Sequence, residues 1–142
     1  MLYTKLTKKA MQIAFDAHKD QTDKSGLPYL YHPIHLAEQM TEENTVCVAL
    51  LHDVVEDTDV TFEELEEQGF PEAVLDALRL LTREDGTPYL DYIKAIKANS
   101  VATAVKLADL RHNSDLSRLD VVDEAALERA EKYKRAMELL GE

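Results

Sequence analysis

The sequence has little of what secreted, membrane-spanning or turn-rich proteins need. Its 142 residues include one cysteine, Cys47, so no intrachain disulfide can form, which fits a reducing compartment. Tryptophan is absent, and only four glycines and four prolines punctuate the chain, too few for the many tight turns of a β-rich fold. The longest uninterrupted apolar run, residues 46–51, has six members, against the roughly 20 that a bilayer-spanning helix needs. Lys5, Lys8 and Lys9 lead into no apolar stretch of the kind a secretory leader carries. Positive charge is scarce as well: 16 Lys and Arg against 28 Asp and Glu leave a formal net charge of −12. Such a chain repels nucleic-acid polymers and anionic membranes. It can take a polyanionic small molecule only where a metal and local cations overcome that field. These features predict a cytoplasmic protein that binds neither nucleic acid nor membrane.

What is present is helical periodicity. Leu6, Ala10, Ile13, Ala14 and Ala17 recur at helical spacing and predict a first amphipathic helix over 4–21. A polar loop follows at 22–28, and Pro33 opens a short helix to about Met40. Residues 44–57 predict a central helix that is apolar almost all round in its first ten residues. Thr61 and Glu64 have capping-box spacing, Pro71 starts the next helix, another is expected over 88–98, Ser100 can cap a long helix to about 114, and Asp123 can cap the last. No stretch shows sustained period-2 alternation, repeats or a linker. The expectation is one domain over 1–142, all-α, a compact array of seven or eight helices.

The central helix ends in Leu50-Leu51-His52-Asp53-Val54-Val55-Glu56-Asp57. A core segment thus turns abruptly into one imidazole and three carboxylates. On a continuous helix His52 lies over Glu56, and Asp53 over both Glu56 and Asp57. Carboxylates crowded at the negative end of a helix dipole repel one another and are costly to bury. Stability does not explain them, whereas a divalent cation does. Further ligands are expected from His32, just before Pro33, and from Asp109, which follows an apolar stretch, with Asn113 one turn later. Two imidazoles and two carboxylates suit Mn, Fe or Zn better than Ca or Mg alone.

His32, His52-Asp53 and Asp109 resemble the H…HD…D pattern of the HD superfamily of metal-dependent phosphohydrolases. The flanking words Ser25-Gly26-Leu27-Pro28-Tyr29-Leu30-Tyr31-His32-Pro33, Ala49-Leu50-Leu51-His52-Asp53-Val54-Val55-Glu56-Asp57-Thr58 and Val105-Lys106-Leu107-Ala108-Asp109 with His112-Asn113 are similar to the hydrolase domain of RelA/SpoT-type proteins and the small alarmone hydrolases. The resemblance spans about residues 5–118. It implies an all-helical HD domain and removal of pyrophosphate from the 3′ position of guanosine tetra- or pentaphosphate, usually with Mn²⁺, although Fe, Zn, Mg or Co also fit the donors. His32, His52, Asp53 and Asp109 are then the metal ligands. Glu56 and Asp57 match the family's catalytic pair, which would handle protons at water and leaving group. Lys24 and Ser25 match the substrate-side loop and Asn113 a residue near the nucleoside; Tyr29 and Lys106 are further pocket candidates.

The sequence departs from that pattern at four places. Asp23 stands where the family commonly has an arginine packed on the base, Leu27 replaces an acidic residue, Leu110-Arg111 reverses the usual order, and Leu116 replaces a hydroxyl residue. All bear on substrate recognition rather than on the ligand set. Two alternatives stay open: an HD hydrolase acting on another nucleotide or phosphorylated small molecule, and a metal- or nucleotide-binding module without turnover. The apolar positions of the last helix also suit self-association into a homo-oligomer.

Overall fold

Helix α3, Glu43–Leu51, is the axle of the molecule: Val46, Cys47, Val48, Ala49, Leu50 and Leu51 are all fully buried. A helix apolar on every side has to be surrounded, and α3 packs against α1 (Lys5–His18), α2 (Tyr31–Glu38), α6 (Glu72–Leu81) and α8 (Ser100–Asn113). The computed structural model describes residues 1–141. The remaining helices are α4 (Val54–Asp57), α5 (Phe62–Glu67), α7 (Tyr89–Ile96) and α9 (Glu124–Leu139), with a 3₁₀ turn at Leu116–Arg118. Among the described residues there is no strand, only an isolated bridge between Thr22 and Pro28 that pinches the 22–28 loop.

The one expected helix over 44–57 is two. His52 and Asp53 form a turn between α3 and α4, with Asp53 at φ −107°, ψ 1°. The cause is local: His52 Nδ1 bonds the Ala49 carbonyl at 2.7 Å, the acceptor that the Asp53 N–H would use in a continuous helix. Counting α3 and α4 as one interrupted helix gives eight helices among the described residues, and as two gives nine. The first helix stops at His18 rather than residue 21. The cap of α8 is Asn99, not Ser100: Asn99 is extended and its side-chain oxygen accepts from Ala102 N at 3.0 Å. Thr61 and Asp123 cap α5 and α9 as their spacing implies, accepting from Glu64 N and Ala126 N.

This packing brings three sequence-distant points together at one end of α3: the start of α2, the α3–α4 turn and the last turns of α8. Each contributes a buried polar side chain, namely His32, His52 and Asp109. Among the described residues, no helix is long and apolar enough to cross a membrane.

Candidate active site

His32, His52 and Asp109 converge: one potential ligand atom from each lies within 4.8 Å of the others. His32 Nε2 is 2.8 Å from Asp109 Oδ1, and His52 Nε2 is 3.5 Å from the same oxygen. Asp53 stands beside His52 rather than within the trio, its Oδ2 3.0 Å from His52 Nε2. The Tyr29 hydroxyl donates to that Asp53 oxygen. Asp109 is gripped further by Lys106 Nζ at 2.9 Å and Asn113 Nδ2 at 3.0 Å.

The protonation pattern tests whether a cation belongs here. The Ala49 carbonyl can only accept, so His52 carries its proton on Nδ1. Its Nε2 is then a buried lone pair, making no hydrogen bond although two carboxylate oxygens lie near it. Lone pairs turned on one another repel unless something positive sits among them. Burial drives the His52 pKa down, but Asp53 and Asp109 outweigh it and raise it well above the usual imidazole value. A second proton on His52 Nε2 or a bound cation relieves this repulsion, and the two imidazoles and carboxylates form a donor set that fits a divalent metal. Burial would raise the pKa of Asp109, yet Lys106 and the two imidazoles hold it well below the carboxylate range, ready to ligate. Asp53 is likewise lowered against the effect of its burial, chiefly by His52.

Imidazoles also stack outward from the cluster. His32 Nδ1 lies 2.7 Å from His112 Nδ1, so one of the two donates, and the His112 ring stacks on exposed His35 at 4.2 Å. A second contact of this kind fixes which face of a ligating imidazole points inward. Burial, with Arg118, His32 and His35 nearby, pushes the His112 pKa down to about 4. An unfolded histidine titrates near ~6.5, so between those values the unfolded chain binds more protons. The stability His112 contributes is therefore complete above the unfolded value and declines as pH falls through the window to the folded one. The melting temperature of the metal-free protein should fall more steeply over that interval in the wild type than in His112→Gln; parallel curves would contradict this account.

Glu56 and Asp57 sit just beyond the candidate ligands but turn into different recesses. Glu56 accepts from Arg83 N at 3.2 Å and faces a groove with Arg83, Gly86 and Thr87. Asp57 faces a groove with Asp16, Gln21 and Asp59. Burial and the Asp53 charge raise the pKa of both. Of the expected substrate residues, Lys24, Ser25, Tyr29 and Asn113 line one cavity of about 390 Å³. Lys106 does not line it; its ammonium is spent on Asp109 and lies 5.3 Å from the Tyr92 ring centroid.

The cavity also has cations that periodicity gave no reason to single out. Arg129 and Tyr133, four apart on α9, line it, as does Arg118. Arg83 and Lys132 lie 5.5 and 4.0 Å from the centroid of the Tyr89 ring, and the buried Tyr89 hydroxyl has no hydrogen-bond partner. The i, i+4 pair of Arg129 and Tyr133 was a possible signal, but a helix surface carries many such pairs. In a chain of net charge −12, Lys24 and Arg129 bring cations to a cavity that also holds Asp23 and Asp115, and a phosphorylated ligand requires such local positive charge.

The chain belongs to the HD-domain family, whose model matches residues 10–112. Its relatives include pyrophosphohydrolases of guanosine-3′,5′-bis(diphosphate). It is 34% identical over 124 residues to the bifunctional (p)ppGpp synthase/hydrolase SpoT of Escherichia coli K12, covering 77% of this chain and 18% of that protein. It is 35% identical over 124 residues to guanosine-3′,5′-bis(diphosphate) 3′-pyrophosphohydrolase MESH1 of Danio rerio, covering 78% of this chain and 68% of that protein. The solved structure of a metazoan ortholog of SpoT that hydrolyses ppGpp superimposes with a TM-score of 0.78 at 25% identity, over 99% of this chain and 88% of that one. The chain thus spans less than a fifth of the length of SpoT.

Proposed function

We propose that this protein is a metal-dependent hydrolase that releases pyrophosphate from the 3′ position of guanosine 3′,5′-bis(diphosphate). The observation that carries the reading is the buried His52 Nε2, aimed without a hydrogen bond among carboxylates beside a cation-lined cavity. The similarity to proteins named for that reaction supports the substrate.

In this reading His32, His52 and Asp109 hold the metal and Asp53 completes the set, with Mn²⁺ the favoured ion. The bound cation supplies Lewis acidity toward a phosphoryl oxygen and toward water. The chain's own residues do the rest. Lys106 and Asn113 fix Asp109, Tyr29 fixes Asp53, and His112 fixes the ring of His32. Lys24, Ser25 and Arg129 line the space for the phosphorylated nucleotide. Hydrolysis removes one proton from water and delivers one to the departing ribose 3′ oxygen. Glu56 and Asp57, whose raised pKa values bring proton exchange nearer neutrality, are the carboxylates for this work.

Product analysis tests the proposal. Mn²⁺-loaded protein incubated with guanosine tetraphosphate should yield guanosine diphosphate and pyrophosphate in equal amounts, and a chelator should stop the reaction. Absence of product with metal demonstrably bound would sink the substrate assignment. A phosphorylated nucleotide with another base is the second reading, motivated by the carboxylate of Asp23 on the cavity wall.

A further inference from the structure

Asp23 and Arg118, 95 residues apart in sequence, form an ion pair with Arg118 Nη2 3.1 Å from Asp23 Oδ2. The pair is mostly enclosed, with 11% of the Asp23 side chain and 23% of the Arg118 side chain exposed. Each partner has further anchors. Asp23 Oδ1 accepts from Ser25 N at 2.9 Å, Ser25 Oγ at 2.6 Å and Leu27 N at 3.1 Å, so the same carboxylate also closes the 22–28 loop. Arg118 Nη1 donates to the His112 carbonyl, at the end of α8, at 2.8 Å.

A guanidinium makes its hydrogen bonds in its own plane. Two anchors at its edge therefore hold Arg118 like a fixed panel and leave its faces without hydrogen bonds. Both Asp23 and Arg118 line the 390 Å³ cavity beside Tyr29 and Asn113, the residues that bond Asp53 and Asp109. Both also line a second cavity of about 370 Å³ with Leu27, Tyr31, Ile34 and His35. Arg118 thus stands where the two cavities meet and borders open space in both. Its charge is matched by Asp23, so it has little net pull on a phosphate. A flat, delocalised, immobilised cation is instead suited to stack on a neutral aromatic ring.

We infer that Arg118, held by Asp23 and the His112 carbonyl, is the specificity-determining residue that receives the base of a nucleotide substrate, acting as a planar surface rather than as a phosphate-binding charge. This inference rests on the reading of the site as a nucleotide hydrolase. Asp23 is then a positioning residue: it sets the guanidinium and the loop in one geometry.

The test separates base from phosphate. Binding of guanosine diphosphate and of inorganic pyrophosphate to the Mn²⁺-loaded protein is measured calorimetrically for the wild type, Arg118→Ala, Arg118→Lys and Asp23→Asn. Both Arg118 variants should bind guanosine diphosphate about 10-fold more weakly, with pyrophosphate affinity unchanged. Lysine should not rescue, because an ammonium has no planar face. Asp23→Asn keeps an oxygen for the loop bonds and loses the ion pair, so it should show the same selective loss in smaller degree, even if Arg118→Ala fails to fold. Equal weakening for both ligands, or full rescue by lysine, would overturn the inference by making Arg118 a simple charge. Because the readout is binding, selective loss without tetraphosphate turnover would remove the substrate assignment and leave the role of Arg118 standing.

Discussion

Replacing His52 with alanine is expected to lower Mn²⁺ affinity by more than about 100-fold and to remove turnover, since even groups that only orient a ligand typically contribute 10- to 100-fold. The geometry sets the size of the effect. His52 Nε2 lies between Asp53 and Asp109, and without it the trio is reduced to His32 and Asp109. Metal dependence of stability is the cleanest measure. A ligand that binds only the folded chain stabilises it by about 2.7 kcal/mol at 100 times its dissociation constant. The wild type should therefore melt at higher temperature as Mn²⁺ is added, and His52→Ala should not. An undiminished Mn²⁺-dependent shift in the variant would refute the assigned centre.

Glu56→Gln is expected to keep that metal response and to lose about 10²- to 10⁴-fold in kcat, the usual contribution of a positioned proton-transfer group. The amide retains the shape of the side chain and an oxygen to accept from Arg83 N. Burial and the charges of Asp53 and Asp57 raise the pKa of Glu56, so its ionisation weakens the fold. A carboxyl raised in this way contributes its stability below the unfolded value and loses it as pH rises through the folded one. At neutral pH the variant should accordingly be as stable as the wild type or more so. This opposition of stability and rate marks a group kept for chemistry. A kcat within a few-fold of wild type would remove Glu56 from the mechanism.

Asp57 separates what was legible in the sequence from what was not. On an unbroken helix it joins Asp53 and Glu56 on one stripe, and spacing alone makes the three a single acidic cluster. The His52 ring takes the Ala49 carbonyl, the helix breaks, and Glu56 and Asp57 are sent into separate grooves. Lys106 differs for a similar reason. It was a pocket candidate beside Tyr29, but a buried ammonium near a buried carboxylate is drawn to it, and Asp109 holds it away from the cavity lining. Asp23 reads in the sequence as a carboxylate in place of a cation. In the folded chain a guanidinium arrives at the same spot from residue 118.

The sequence by itself determined the helical class, the central position of α3, the caps Thr61 and Asp123, and the burial of His32, His52 and Asp109. These follow from local rules: apolar spacing, capping chemistry and the cost of burying a charge without a partner. Only the tertiary structure decided which of those polar groups face one another, where the helix between ligand and base candidates breaks, that Arg118 pairs with Asp23, and that Arg129 joins Lys24 at the cavity of an acidic protein. Those outcomes depend on contacts between segments tens of residues apart. Pairing energies of that kind are set by distance and burial in space, which spacing along the chain does not encode.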